Sequence, residues 1–465
     1  MNEVSLTHVV DSDGGRYELG RQIGRGGQGA VYLCKSNPRI AVKLIRNPTQ
    51  QHAAAMRNQI ASVKRMDLRH LPIARPVATL AQPHVGYVMK LATGMNSIST
   101  LMDPPRSESS IVTWYMSTGG LRRRLCLLAR LARSLAEIHG MGLAYGDPSP
   151  GNVLISETPG SDDVFLIDCD NLRYSTNPEE VKLYTPGYGA PELVSGRSGF
   201  NTLTDAHAFA VIAFRLLCLS HPLIGDSVAN GDPALEEAAY RGELPWIEHE
   251  SDDSNRFSLG VDRSMVLSPN LRRLFSATFD DGLSDPTKRP GMAHWVEVLR
   301  TAAAVTINCS GCDWSYYCAP RACPICDRKR PDVLFGRIGV WDPASGESGA
   351  ICTEPSGRPM WVDAAVGTNR KSLSISASQL GIGDSEDSVL AVTLKHDRRI
   401  TLSNPSGNEK ILVTGSRSGA APRPIAGESE SFHLSRPDSI LFVHIGELSG
   451  RHRVVCLELS QEEGQ

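Results

Sequence analysis

The chain of 465 residues has no dominant charge, no long apolar run and no basic-then-apolar leader, and each absence removes a class of protein. A formal net charge of −3 gives no reason to expect a nucleic-acid binder or a membrane-surface protein. The most apolar stretch, Ala206 to Leu219, is too short to cross a bilayer and carries His207 and Arg215. Met1-Asn2-Glu3-Val4 lacks the pattern of a secretory signal, so the expectation is a cytoplasmic protein without a membrane partner. A disulfide framework is missing too, because five of the eleven cysteines crowd into Cys309–Cys326 and the rest are scattered. That distribution suits a reducing compartment and one metal site. Hydrophobic content of 41% and charged content of 21% describe ordinary globular material, with length for about three domains.

What is present centres on Tyr145-Gly-Asp-Pro-Ser-Pro-Gly-Asn152. Asp147 is followed five positions later by Asn152, which runs into the apolar strand Val153-Leu154-Ile155. A phosphoryl-transfer loop needs this pair, an Asp to orient the attacking hydroxyl and an Asn whose amide oxygen holds magnesium. Alone, the run is more often only a turn. Upstream, the alternating strand Tyr17–Ile23 leads into Gly24-Arg25-Gly26-Gly27-Gln28-Gly29-Ala30-Val31, which fits G-x-G-x-x-G-x-V. Such glycines let a hairpin turn lie over phosphates and offer backbone N–H groups. A strand rather than a helix follows, which disfavours a dinucleotide fold. Fourteen residues beyond Gly29, Ala41-Val42-Lys43-Leu44-Ile45 places one Lys in an apolar strand, where an ammonium calls for an anionic partner.

Together these segments resemble a eukaryotic-type (Hanks-type) protein kinase from about Arg16 to Ala304. Asp168-Cys169-Asp170 stands where that family has Asp-Phe-Gly, and Thr185-Pro-Gly-Tyr-Gly-Ala-Pro-Glu192 matches the end of its activation segment. Asp205 matches the family's anchoring Asp, and Arg289 the arginine that pairs with the Glu of Ala-Pro-Glu. The resemblance implies a bilobal α+β fold that uses ATP and magnesium. Asp147 would orient the hydroxyl, Asn152 and Asp168 would bind magnesium, and Lys43 would hold the phosphates. Gly24, Gly26, Gly27 and Gly29 would cover them, with Val31, Ala41, Met89, Leu91 and Leu154 around the adenine. Thr185 would favour Ser/Thr over Tyr in a protein substrate.

The departures bear on mechanism. No acidic residue occurs between Lys43 and Asp67, and Gln59 stands where the family has the Glu that pairs with the Lys. Tyr145-Gly146 replaces His-Arg, which removes the guanidinium that receives an activation-loop phosphate, and Ser149 replaces a Lys. Asp170 either caps a turn at Asn171 or belongs to the surroundings of the magnesium. Tyr174, Ser175, Thr176 and Tyr184 are hydroxyls open to phosphorylation. Ser97 to Gly120 reads as a polar insertion, and Leu121 to Met141 as a buried-face helix. The alternative to an active enzyme is a pseudokinase scaffold that binds nucleotide or docks partners.

Cys309-x-x-Cys312 and Cys323-x-x-Cys326, ten residues apart, supply four thiolates for structural zinc, and Cys318 is a spare thiol. From Pro331 onward, short alternating stretches at 333–340, 360–366, 372–376, 389–395, 399–402, 410–414, 439–445 and 453–457 argue for an all-β sandwich. Residues 400–415 resemble half of a forkhead-associated domain without its Ser-Arg-x-His motif. The expected domains are therefore a lead-in (1–15), small lobe (16–92), large lobe (93–304), zinc ribbon (305–330) and sandwich (331–465). This order resembles the bacterial kinases of TerY-P triads. It would imply a von Willebrand factor A-type protein and a metal-dependent protein phosphatase as signalling partners.

Overall fold

The computed structural model describes residues 6–26, 29–46, 48–108, 110–175, 183–345, 350–353, 359–368, 371–383, 385, 387–395, 398–407, 410–415, 423–425, 429–434 and 440–460. The chain forms two compact units, Met1–Gly119 with Arg123–Leu299, and Gly120–Arg122 with Arg300–Gln465.

The first unit begins with an antiparallel sheet of β1 (His8–Val10), β2 (Arg16–Arg25), β3 (Gly29–Cys34), β4 (Ile40–Ile45), β5 (Pro76–Thr79) and β6 (Gly86–Lys90). The strand order is β1-β2-β3-β4-β6-β5. Alternation gives the sheet two apolar faces. Val9, Leu19, Val42, Leu44, Ala78, Leu80 and Val88 pack on one side. Ala41, Tyr87 and Met89 share the other with Ile60. Ile60 lies on helix α1 (Gln50–Arg65), whose buried residues Ala53, Met56, Ile60 and Val63 recur at helical spacing. Thr49 caps its start, accepting from the His52 N–H at 3.3 Å, and Lys64 and Arg65 sit in its last turn, where the helix dipole favours cations.

Residues 1–15 are not merely a lead-in, because His8–Val10 is an edge strand of this sheet, paired with Arg16–Glu18. Three residues are too few to reveal alternation, yet Val9 is buried. Asp11 turns the chain by accepting the N–H groups of Asp13 and Gly15 and the Tyr17 hydroxyl.

The large lobe is mainly helical. The supposed polar insertion contains α2 (Ile111–Ser117), a two-turn helix that buries Trp114 and Tyr115 and is too short for its period to stand out. It leads to α3 (Gly120–Gly140), where Leu121, Leu125, Leu128, Leu131, Leu135 and Ile138 are fully buried. A central helix, Thr202–Cys218, starts at an Asn201 capping box and is buried along nearly its whole length. Around it, Phe209, Phe214, Phe275 and Trp295 meet edge to face at 5.1–5.4 Å.

In the second unit, Thr306–Asn308 and Ser315–Tyr317 form a hairpin. Two antiparallel sheets follow. Among the described residues, one holds seven strands around Val333–Asp342 and the other holds four, in the order Leu373–Ser376, Ser388–Leu394, Arg399–Ser403, Ser429–His433. Leu334, Val443 and Leu457 of the first sheet share one core with Leu373, Val392 and Leu402 of the second. Ser429–His433 has no fully buried position, which explains why its sequence gives no strand signal.

Candidate active site

The sheet places Lys43 on β4 beside Tyr87 on β6, since the two residues are direct partners in the antiparallel register. Lys43 shares its face with Ala41, two residues away, and is buried. Its Nζ lies 2.9 and 3.0 Å from the two carboxylate oxygens of Asp170 and 3.1 Å from Asp168 Oδ1. The Tyr87 hydroxyl donates to Asp170 Oδ1 at 2.9 Å. Burial works to neutralise the ammonium, but the carboxylates of Asp170 and Asp168 outweigh it and hold the Lys43 pKa above its usual value. Burial, followed by the Asp170 and Asp168 charges, pushes the Tyr87 hydroxyl well above its usual value, so it stays a donor.

Asp170 makes a contact that neither expected role named, a direct bond to Lys43. The side chain is fully buried against Lys43 and Tyr87 and projects from the short 3₁₀ turn Cys169–Asn171. A single sequence gives one signal for this, the lack of any acid near Gln59, and no pointer to where the counter-charge comes from. Gln59 instead donates from Nε2 to the Leu172 carbonyl at 2.7 Å.

Asp168 precedes that turn in the left-handed region, at φ 57 and ψ 38, a conformation Asp tolerates better than most residues. Its side chain is 37% exposed, so it faces both Lys43 and solvent.

Asp147 lies between two short elements and is held by three donors. The Thr185 N–H and hydroxyl reach its two oxygens at 2.9 and 3.0 Å, and the Asn152 Nδ2 reaches Oδ2 at 3.2 Å. Because Asn152 also donates to the Asp147 carbonyl at 3.0 Å, its amide oxygen is the atom left for a cation. Burial raises the Asp147 carboxyl above its ordinary value, against the lowering pull of Thr185 and Asn152. The loop is anchored from below. Buried Asp205 accepts the backbone N–H groups of Tyr145 and Gly146 at 2.6 and 3.0 Å and meets His139 Nε2 at 3.1 Å. The Tyr145 hydroxyl donates to the Ile167 carbonyl, which ties the loop to the strand before Asp168. Gly146 has φ +97, and a Cβ there would sit 2.9 Å from the Phe200 ring. A side chain would thus be strained at the position where the family carries Arg.

The glycines of the β2–β3 turn divide by what surrounds them. Gly29 is required by packing, since a Cβ would lie 2.2 Å from the Leu44 carbonyl. At Gly26 a Cβ would meet nothing within 4 Å, and at Gly24 only Val31 at ordinary contact distance. The fold leaves open space at these two positions, as a turn covering a ligand requires. Gly27 lies outside the described residues. Ala41 and Met89 are buried, and Val31 and Leu91 pack against their cluster. Leu154 is half-buried on Val153–Ser156.

Thr176 also lies outside the described residues, while Tyr174 is exposed and Tyr184 borders on it. Glu192 and Arg289 form a buried bidentate pair at 2.6 and 2.8 Å.

Within the second unit, the sulfurs of Cys309, Cys312, Cys323 and Cys326 all lie within 4.8 Å of one another. Cys309–Cys326 are 3.5 Å apart and Cys312–Cys323 3.6 Å. Four thiolates at about 2.3 Å from a tetrahedral zinc would be roughly 3.8 Å apart, so the donor set fits that ion. Cys318 is buried outside the cluster, and burial raises its thiol.

A two-lobed unit that brings a buried Lys, a loop Asp with its Asn, and a turn Asp to the junction of its lobes has the architecture of nucleotide-dependent phosphoryl transfer. Residues 17–298 match the protein kinase domain model, and the chain belongs to that family. It is 30% identical over 226 residues to the DNA damage-responsive serine/threonine-protein kinase RqkA of Deinococcus radiodurans, covering 46% of this chain and 31% of that protein. It is 30% identical over 252 residues to CBL-interacting protein kinase 4 of Oryza sativa subsp. japonica, covering 50% and 51%. Serine/threonine-protein kinase pkn2 of Myxococcus xanthus is 26% identical over 290 residues, covering 60% and 31%. The matched regions thus span about a third to a half of these relatives. No described helix is long and apolar enough to cross a membrane.

Proposed function

We propose that the protein is an ATP-dependent protein kinase that phosphorylates Ser or Thr on a partner protein in bacterial signalling. The observation that carries this reading is the convergence of Lys43, the loop pair Asp147 and Asn152, and Asp168 from three separate segments, with their hydrogen bonds intact. Asp147, aimed by Thr185 and Asn152, accepts the proton of the attacking hydroxyl. Lys43 holds the α/β-phosphates, the turn from Gly24 through Gly26 and Gly27 to Gly29 covers them, and Val31, Ala41, Met89, Leu91 and Leu154 enclose the adenine. Magnesium on Asn152 and Asp168 would neutralise charge on the phosphates as it develops. Catalysis is then positioning and electrostatics, as phosphoryl transfer requires. The Thr185 hydroxyl on Asp147 favours a Ser/Thr acceptor.

The scaffold alternative leans on the missing Glu of α1, and a carboxylate on Lys43 from Asp170 weakens that support. In the second unit, Cys309, Cys312, Cys323 and Cys326 would hold zinc as a structural cross-link. The two-sheet module, read as a sandwich, would dock partners. The order of modules supports membership of a TerY-P triad in the cytoplasm, with the von Willebrand factor A-type protein and the phosphatase as those partners.

The test is to incubate the purified chain with labelled ATP, magnesium and a generic protein substrate, beside Asp147→Ala. The kinase reading expects label on Ser or Thr from the wild type and a loss of a hundredfold or more in the variant. Equal background in both would leave the scaffold reading standing.

A further inference from the structure

We propose that Asp170 is the positioning residue for Lys43, so that the counter-charge of the nucleotide-binding lysine is carried by the turn after Asp168 instead of by helix α1. The inference rests on the kinase reading above. The helix cannot supply the charge, since α1 covers Gln50–Arg65 and no acid occurs between Lys43 and Asp67. Its one candidate, Gln59, is turned to the Leu172 carbonyl.

Asp170 meets every requirement of the role. Both of its oxygens reach Nζ within 3.0 Å, the pair is sealed from solvent, and the Tyr87 hydroxyl fixes the carboxylate from the adjacent strand. The β4–β6 register puts Lys43 and Tyr87 side by side, so two neighbouring strands grip one carboxylate. The Asp168 contact is single, at 3.1 Å, and partly exposed. It is the contact that incoming phosphate and magnesium would replace, while Asp170 keeps the ammonium charged and aimed.

The consequence is regulatory. Where the partner carboxylate sits on a mobile helix, moving the helix uncouples the lysine. Here Lys43 is anchored to the same three-residue segment that carries Asp168. α1 bonds the chain just beyond that segment, from Gln59 to the Leu172 carbonyl, through a neutral hydrogen bond, so displacing α1 leaves the lysine paired. Assembly of the phosphate site depends on one element, the turn at residues 168–170.

The experiment compares Asp170→Asn and Gln59→Ala with the wild-type full chain, with Asp147→Ala as the inactive reference. Asp170→Asn is expected to lower kcat/KM for ATP tenfold or more, and Gln59→Ala to stay within threefold. Asp170→Asn should lower the thermal unfolding midpoint of the wild type but raise that of Lys43→Met, a reversal that simple loosening of the fold does not produce. A folded Asp170→Asn within threefold of wild type, or a tenfold loss in Gln59→Ala, overturns the proposal. Should Asp170→Asn alone not fold, thermal unfolding of Lys43→Met with and without Asp170→Asn decides. With the ammonium gone, removing the carboxylate should raise the midpoint, and a lower midpoint contradicts the pairing. If the wild type transfers no phosphate, the kinase reading fails, and the same unfolding comparison still tests the pair.

Discussion

At the scale of single residues, the site is governed by how each charge is buried and what meets it. Asp147 shows the balance. Burial raises its carboxyl, and the Thr185 and Asn152 hydrogen bonds pull it back. In its proposed role as base it must be ionised, so the rate should fall as pH drops through its raised pKa. Thr185→Ala removes the hydroxyl bond that favours the charged form, which raises the pKa further. The acidic limb of the kcat profile should thus shift to higher pH in Thr185→Ala, and a limb that stays put or moves down would contradict the role given to Asp147. Motif spacing marked Asp147, Asn152, Asp168 and Lys43 in the sequence because each belongs to a short local pattern. Asp170 was readable as an acid without an assignable role. Its partners, Lys43 and Tyr87, lie 127 and 83 positions away, and the contact exists only through the strand register.

At the scale of elements, the loop at Tyr145–Asn152 constrains how the enzyme is switched. Gly146 adopts φ +97 against the Phe200 ring, so no side chain there can receive a phosphate. Replacing Tyr174, Ser175 and Thr176 with Phe, Ala and Ala should leave the rate on an exogenous substrate within tenfold of wild type. A larger loss, above roughly 1.4 kcal/mol on the barrier, would reveal a phosphate receptor elsewhere. Long periodic elements such as α3 were legible because six buried leucine and isoleucine positions repeat at helical spacing. Short ones were not. The strands His8–Val10 and Ser429–His433 and the helix Ile111–Ser117 each span seven residues or fewer, and tertiary packing sets them.

At the scale of the whole molecule, the chain carries two kinds of stability. The first unit rests on a large aromatic and aliphatic core locked by the buried Glu192–Arg289 pair. The cysteine hairpin has little core of its own, though Trp314 is buried there and Lys371 donates to the Thr306 carbonyl at 2.9 Å. Four thiolates on one ion would supply the missing free energy. Elemental analysis should find one zinc per chain, and Cys309→Ser or Cys326→Ser should open residues 305–330 to proteolysis while the kinase lobes stay intact. Absence of zinc, or an unchanged digest, would count against a metal-built module. The knuckle spacing made the cluster legible, whereas the sharing of one unit with the two-sheet module required contacts over tens of residues.

The central claim is that Asp147 and Asp168 carry magnesium-dependent phosphoryl transfer at the junction of the lobes. It is tested most directly by the initial rate of label transfer from ATP to protein, with and without magnesium, for wild type, Asp147→Ala and Asp168→Ala. Transfer should require magnesium and fall to background in both variants, while their thermal unfolding stays near wild type. Incorporation at the wild-type level in both would show that the label arrives by another route and that the site described here does not transfer phosphate.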